Sequence, residues 1–227
     1  ARSLFCIRVF FSWLLEKGVR QDNPAELLET PKLWATLPEL LSPEEIDLLI
    51  KTAAGRKISA CRNQAMLEVL YGCGLRVSEL VSLKIQDVNL EKDFLICYGK
   101  GGKERAVPFG KNTRKALERW IIKGREVLLQ KSGISLPEVF ISQKKTPLTR
   151  QHVWLEIKKL ALKSGIQKNI YPHIFRHSYA THLLAGGGDL RIVQELLGHA
   201  DIMTTQKYTQ VDKSRMIRQY KIMHPRA

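Results

Sequence analysis

Apolar residues recur at helical spacing through most of the chain, and this pattern predicts a mainly helical protein. A first amphipathic helix covers residues 4–15 and ends at Gly18. The sequence "SPEE" at residues 42–45 predicts the start of another helix, with Ser42 as N-cap, proline at the first helical position and Glu45 completing a capping box. The buried stripe of this helix is predicted to consist of Ile46, Leu49, Ile50 and Ala53.

The hydrophobic pattern changes to a β-type pattern between Phe94 and Phe109. Short β-prone runs lie on either side of "GKGGK", which is typical of a hairpin with a glycine-rich turn, and "VFIS" indicates another short strand. Helical spacing returns in the remaining segments, which are residues 112–131, residues 149–163 and the stretch after Pro172. The predicted fold class is therefore mainly α with a small antiparallel β-sheet.

Prolines indicate a division of the chain near residue 38. Residues 23–38 contain three prolines among mixed polar residues, as an interdomain linker does. A chain of 227 residues that is 44% hydrophobic can bury one sizeable core and part of another. Residues 1–38 are therefore predicted to be a fragment of one domain with its linker, and residues 39–227 to be the main domain.

The charge balance favours a polyanionic partner. Lys and Arg number 37 against 22 Asp and Glu, which gives a formal charge of +15 and an isoelectric point of about 9.8. Nucleic acid is the commonest partner for such a surface, and a merely solvated basic surface is the alternative. An anionic membrane surface fits less well, because no helix combines a strongly basic face with an apolar one.

The cysteines and the first apolar run predict a cytoplasmic protein. The four cysteines lie far apart and form no C-x-x-C pair, so reduced thiols are expected rather than zinc ligands or disulfides. The apolar run of residues 4–15 is interrupted by Arg8 and is too short to span a bilayer, so no membrane anchoring is expected.

Two segments place basic side chains where a phosphate could bind. In "GLRVSEL", Arg76 lies at a helix N-terminus, which favours an anion, and Glu79 is close enough to orient it. The alternative is an exposed Arg–Glu pair of little consequence. In "GKGGKER", Lys100 lies in the glycine turn with Lys103 and Arg105 nearby, but the pattern is not that of a nucleotide-binding P-loop.

Residues 171–211 hold four of the six histidines. In "HIFRH", His173 and His177 have the i, i+4 spacing of a zinc protease helix, but isoleucine stands where that motif needs glutamate. Arg176 shares a helix face with His173. Further along, "LGH" places His199 just after a glycine helix end, and Tyr208 follows nine positions later.

Taken in order, the segments "GLRVSEL", "GKGGKER", "PHIFRHSYATHLL", "LGH" and "TTQKY" resemble the catalytic domain of tyrosine site-specific recombinases, the phage-integrase family. The resemblance is especially to the Xer-type chromosome-dimer resolvases and reaches from about residue 40 to the terminal "HPRA". The stretch "RVFFSWLLEKGVRQDNPAELL" also resembles the last helix of the family's N-terminal core-binding domain, most of which is expected to be absent. The segments "YGCGLR" and "AGGGDL" depart from the family pattern without touching a reacting group.

The resemblance implies the tyrosine recombinase catalytic-domain fold and a role for each matched residue. Tyr208 is implied to be the nucleophile, and Arg76 and Arg176 to hold the scissile phosphate. The other implied roles are Lys100 as general acid, His173 and His199 as the remaining catalytic pair, and Glu79 as acidic support. The implied partners are a double-stranded DNA recombination site, a related recombinase in a homo- or hetero-tetramer, and a DNA translocase as activator. Neither a metal nor a nucleotide cofactor is implied.

The chemistry of these groups agrees with the resemblance. A phosphodiester under attack gathers negative charge on its non-bridging oxygens, which bidentate guanidiniums and a histidine donor stabilise. A phenol with a pKa of about 10 needs a proton acceptor, for which His173 is suited, and the leaving 5′-oxygen needs a proton, which Lys100 can bring. A 3′-phosphotyrosyl bond conserves the energy for rejoining, so no ATP motif is needed.

Two other classes of function compete with this interpretation. A DNA-binding regulator with the same fold would have no need of a nucleophile such as Tyr208. A metal-dependent phosphodiesterase built on His173 and His177 lacks an acidic ligand cluster in this sequence. If Tyr208 is not the nucleophile, Tyr179 and Tyr220 are the next candidates.

Overall fold

The chain folds into two compact units, Ala1–Pro38 and Glu39–Ala227. A computed structural model describes residues 2–26, 28, 39–99, 104–130, 132–198, 217 and 219–226. The helices are α1 (Arg2–Glu16), α2 (Pro43–Ala53), α3 (Ile58–Gly72), α4 (Val77–Ser82), α5 (Lys111–Trp120), α6 (Glu126–Gln130), α7 (Arg150–Ser164), α8 (Pro172–Ala185) and α9 (Leu190–Leu197). The strands are β1 (Val88–Asn89), β2 (Phe94–Tyr98) and β3 (Glu104–Pro108).

The first unit contains α1, as the amphipathic pattern predicts. Its assignment to a core-binding domain stays a prediction. Among the described residues of both units, no helix has the length and hydrophobicity needed to cross a membrane.

The second unit is built around α3. Eleven of the fifteen residues of this helix are buried, and it packs against α2, α5 and α8. A helix that is buried on nearly every side is held by the neighbours that enclose it rather than by one apolar stripe. Its C-terminal end leads directly into Cys73, Gly74 and Leu75, so the rigid core fixes the start of the segment that carries Arg76.

The helix ends follow the predicted capping chemistry. The hydroxyl of Ser42 accepts a hydrogen bond from the backbone N–H of Glu45 (3.3 Å), and the Glu45 carboxylate accepts one from the N–H of Ser42 (2.7 Å). The cap of α7 was not predicted: Thr149 accepts from the N–H of His152 (3.1 Å) and thus lies just before the helix rather than within it. The predicted apolar stripe of α2 is buried. These local predictions are therefore confirmed.

The three strands form an antiparallel sheet in the order β1-β2-β3, which confirms the predicted hairpin. Cys97 lies opposite Arg105 in its register, and the turn at residues 100–103 lies outside the described residues. The prediction of a strand at "VFIS" is wrong: the segment is largely buried, but it forms only the isolated bridge Ile141–Pro147, with a second isolated bridge, Lys84–Glu138, at the residue before it. Among the described residues, neither bridge extends into a ladder.

The described C-terminal residues pack into the core of the second unit. The hydroxyl of Tyr220 is buried and donates to the carbonyl of Gly72 (2.8 Å). The ring of Tyr220 stacks on His224, with 4.9 Å between the ring centroids. Arg226 forms ion pairs with Asp47 and with the buried Glu68. This segment is therefore anchored at several points along its length.

The glycines of "AGGGDL" allow this anchoring. A Cβ atom on Gly186 would overlap the carbonyl oxygen of Met223, and one on Gly188 would lie 2.9 Å from the Met223 sulfur. Side chains at these positions would push the connection between α8 and α9 away from the C-terminal residues. The departure from the family pattern at this place therefore has a packing reason.

We expect Arg226→Met to lower the free energy of unfolding by about 3 kcal/mol, because it leaves the buried carboxylate of Glu68 without its ionic partner. Denaturant titration measures the change. Lys159→Met is the control, since Lys159 pairs with Glu156 on the surface of α7 and should cost less than about 0.5 kcal/mol. Adding Glu68→Gln to Arg226→Met should recover part of the loss. Equal stability of the Arg226 and Lys159 variants would contradict the anchoring role.

Candidate active site

The turn between α3 and α4 sets the position of Arg76. Gly74 has a φ of +58°, and a Cβ atom there would lie 2.5 Å from the ring of Tyr179. Both the backbone conformation and the close approach require glycine. Two residues later, Arg76 is the N-cap of α4, and 39% of its side chain is exposed. The backbone of Arg76 is therefore held in a fixed position, while its guanidinium is accessible to solvent.

The carboxylate of Glu79 accepts four hydrogen bonds, two on each oxygen. Arg76 donates through its backbone N–H (2.8 Å) and through Nη1 (2.9 Å). Arg105 donates through Nη1 (2.8 Å) and Nη2 (2.9 Å) as a bidentate pair. Only 5% of the Glu79 side chain is exposed. The alternative of an exposed Arg–Glu pair is therefore wrong, because the carboxylate is a buried and fully bonded group.

The charge of Glu79 is stable in this environment. Burial alone raises the pKa of a carboxyl group, but the hydrogen bonds and charge of Arg105, together with the hydrogen bonds from Arg76, outweigh it and lower the pKa of Glu79 to about 2. The carboxylate is therefore ionised at every pH near neutrality. Its contribution to stability is present above the usual carboxyl pKa and is lost only as the pH falls towards about 2.

Arg176 reaches the same place from α8. Its Nη1 donates to the carbonyl of Gly74 (2.8 Å) and lies 3.9 Å from a Glu79 oxygen, and its Nη2 donates to the carbonyl of Leu197. Burial, followed by the positive charges of Arg76 and Arg105, lowers the pKa of Arg176 to about 10. The guanidinium remains protonated at neutral pH, although its surroundings already hold an excess of positive charge.

Arg76, Glu79, Arg105 and Arg176 form what we call the arginine–glutamate cluster. Three guanidiniums face one carboxylate, so two positive charges remain uncompensated within the cluster. Arg105 is 4% exposed and is sealed inside, whereas Arg76 opens to solvent. A half-buried excess of positive charge with planar, bidentate donors is suited to binding a phosphate group at its open side.

Arg105 is the member of this cluster to which the sequence pattern assigned no role. It was grouped with the basic residues near the glycine turn, but it lies within β3, beyond that turn. Besides Glu79, it binds the carbonyl of Leu196 through Nε (3.1 Å). The sequence signal that could have revealed it is its place in "ERAVP", where Arg105 falls on the same strand face as the apolar Val107.

The other predicted site residues divide into two groups. His173 lies exposed in the first turn of α8, one turn before Arg176. Lys100, His199 and Tyr208 lie outside the described residues. His173 and His177 are both exposed, and the described part of the chain contains no group of three or more His, Cys, Asp or Glu side chains that could hold a metal ion.

The two alternative nucleophiles are inaccessible. Tyr179 and Tyr220 are fully buried, and burial raises the pKa of each phenol. The hydroxyl of Tyr220 is also bound to the carbonyl of Gly72. A phenol that is sealed in the core and difficult to ionise cannot attack a DNA phosphate, so neither residue replaces Tyr208 as the candidate.

Comparison with known proteins relates this site to a family. The model of the phage integrase family matches residues 39–215. The chain is 46% identical over 227 residues to the tyrosine recombinase XerD of Oceanobacillus iheyensis, covering all of this chain and 76% of that protein.

Solved structures agree with the sequence match. The crystal structure of XerA recombinase aligns with a TM-score of 0.65 and 30% identity, over 99% of this chain and 84% of that one. The XerH site-specific recombinase bound to its difH substrate aligns with a TM-score of 0.62 and 25% identity, over 82% of this chain and 51% of that one. The mainly helical unit with its small sheet therefore has the tyrosine recombinase catalytic-domain fold. Together with the family match, these similarities show that the chain belongs to the phage integrase family, as a Xer-type tyrosine recombinase that breaks and rejoins DNA strands at specific sites.

Proposed function

We propose that Tyr208 attacks a DNA phosphodiester held by Arg76 and Arg176, and that the chain resolves chromosome dimers through the resulting 3′-phosphotyrosyl intermediate. The observation that carries this proposal is the uncompensated positive charge of the arginine–glutamate cluster, open to solvent on the Arg76 side. The XerD relatives support the role in dimer resolution that the sequence resemblance implies.

The arginines are held before any substrate arrives. Arg76 is fixed by Glu79, and Arg176 by the carbonyls of Gly74 and Leu197. Donors fixed in this way stabilise the charge that develops on the non-bridging oxygens without reorganising during the reaction. In the proposed step the Tyr208 oxygen bonds to phosphorus and the bond from phosphorus to the 5′-oxygen breaks. Arg76 and Arg176 stabilise the negative charge that builds up on the non-bridging oxygens meanwhile.

Two protons move in this step. His173 accepts the phenol proton of Tyr208, and Lys100 gives a proton to the leaving 5′-oxygen. His173 shares α8 with Arg176, which supports its assignment to the same site. The turn that carries Lys100 precedes β3, in which Arg105 is bound to Glu79.

His199 completes the proposed set. The residues before it in the chain, Leu196 and Leu197, have their backbone carbonyls bound by Arg105 and Arg176. The chain leading to His199 is therefore attached to the arginine–glutamate cluster, which supports a role for this histidine at the scissile phosphate.

The partners follow from the same proposal. A double-stranded recombination site is the substrate, in agreement with the +15 charge and with the structure of the XerH site-specific recombinase bound to its difH substrate. A homo- or hetero-tetramer with a related recombinase, a DNA translocase as activator and a cytoplasmic location are parts of the proposal that rest on the family resemblance. A regulator without chemistry is disfavoured, because the XerD and XerA relatives are recombinases by name.

Replacing the nucleophile should separate chemistry from binding. Tyr208→Phe should abolish the covalent adduct with a nicked suicide duplex while leaving DNA affinity nearly intact, because the lost hydroxyl acts in chemistry. Denaturing gels measure the adduct. The matched control is Tyr179→Phe, which removes a buried hydroxyl that has no hydrogen-bond partner among the described residues and should keep the adduct. An adduct that survives in Tyr208→Phe would reject the assignment.

The general acid can be identified by changing the leaving group. Lys100→Ala should slow cleavage by about a hundredfold or more, and a substrate with sulfur in place of the bridging 5′-oxygen should restore most of the rate, because sulfur leaves without that proton. Arg176→Ala should gain little from the same substrate, since it binds non-bridging oxygens. Rescue of the arginine variant with no rescue of the lysine variant would move the acid role to His173 or Lys103.

The salt dependence of DNA binding should show how many phosphates the basic side chains neutralise. The affinity is expected to fall with a log–log slope equivalent to roughly five or more neutralised phosphates, as the +15 charge indicates. Fluorescence anisotropy at several salt concentrations measures this slope. A flat dependence would mean that the lysines and arginines form only a solvated surface.

A further inference from the structure

The side chain of Arg105 joins three segments of the active site although it cannot itself reach DNA. It extends from β3, binds both oxygens of Glu79 in α4 and binds the carbonyl of Leu196 at the end of α9. With 4% of the side chain exposed, it has no open edge to present to a phosphate. Any contribution of Arg105 to the reaction must therefore pass through the residues that it binds.

The link to α9 is closely packed. Gly198 has a φ of +68°, and a Cβ atom there would lie 2.9 Å from Cδ of Arg105. The C-terminal turn of α9 therefore lies directly against the Arg105 side chain, one residue before His199 in the chain. A change in Arg105 shifts both Glu79 and this turn.

The bidentate pair between Arg105 and Glu79 affects both the orientation of Arg76 and the charge balance of the cluster. Each carboxylate oxygen is shared between one donor of Arg76 and one of Arg105, so the bidentate pair fixes the plane in which Arg76 is held. The pair also balances the Glu79 charge inside the protein. Without it, the carboxylate would be compensated by Arg76 and Arg176, whose positive charge would then be less available to a substrate phosphate.

We propose that Arg105 is a positioning residue of the recombinase, which holds Arg76 through Glu79 and holds the end of α9, and which leaves the charge of Arg76 and Arg176 free for the scissile phosphate. This inference rests on the proposed function. Arg105 is thereby given a task although it is not among the residues proposed to contact DNA.

The test compares Arg105→Met with Arg62→Met. Arg62 is the matched control, because it is equally buried at 4% but binds Asn63 and lies in the N-terminal half of α3. Both variants are assayed for folded fraction by circular dichroism and for cleavage of a suicide duplex with either a phosphate or a neutral methylphosphonate at the scissile position. We expect Arg105→Met to lose about a hundredfold in cleavage of the phosphate substrate, the scale of losing one preorganised donor.

The methylphosphonate distinguishes positioning from a general loss of structure. A neutral centre needs less positive charge, so the defect of Arg105→Met should shrink to about tenfold or less, and Arg76→Ala should behave in the same way. The double variant of Arg76 and Arg105 should lose much less than the product of the single losses, because both act through one clamp. Equal defects on the two substrates, or a loss no larger than that of Arg62→Met, would overturn the proposal.

Arg105→Lys covers the case in which the methionine variant does not fold. Lysine keeps the charge beside Glu79 but lacks the planar pair of donors, so it should fold and show a smaller defect with the same relief on methylphosphonate. Full activity of Arg105→Lys on phosphate would overturn the bidentate positioning role. If the unaltered chain and Arg62→Met form no adduct on either substrate, the proposed function fails and this inference fails with it, whereas a normal adduct in Arg105→Met rejects the inference alone.

Discussion

The candidate active site depends on one buried carboxylate. Glu79 is removed from water, which would be costly for an isolated charge. The lost hydration is replaced by four hydrogen bonds, three from the guanidiniums of Arg76 and Arg105 and one from the backbone N–H of Arg76. Because these donors come from different segments of the chain, the buried charge of Glu79 is fully compensated only when α4 and β3 have packed together. Arg176 then joins a place that already carries surplus positive charge, and the carbonyls of its neighbours hold it there.

The proposed mechanism assigns the phosphate clamp and the proton donor to different parts of the chain. The clamp is built from short contacts to the core, since α3 leads into Gly74 and the ring of Tyr179 packs on that glycine. The proposed proton donor Lys100 belongs instead to a glycine-rich turn between two strands. A phosphoryl transfer gains from rigid donors at the non-bridging oxygens, whereas a proton donor must follow the leaving oxygen, so the two tasks favour different local structures.

Local signals made part of this site predictable from sequence. Arg76 and Glu79 are three residues apart at a helix start, and capping patterns, helix periods and the hairpin act over similarly short distances. Arg105 lies 26 residues from Glu79, and Arg226 lies 158 residues from Glu68; no period or spacing encodes such contacts, which appear only when the elements pack. The isolated bridges next to and within "VFIS" likewise depend on which segments pack beside it, which its own sequence pattern does not indicate. The roles of the residues outside the described chain remain predictions, and these are Lys100, His199 and Tyr208.

The shared hydrogen bonds of Glu79 also restrict how this chain can change over generations. Replacing Glu79 by a neutral residue leaves three guanidiniums repelling one another, and replacing Arg105 leaves a buried carboxylate half satisfied. Either single replacement is therefore expected to destabilise the site until a second one restores the charge balance. Glu79 and Arg105 are therefore expected to be exchanged jointly, because each compensates the buried charge of the other.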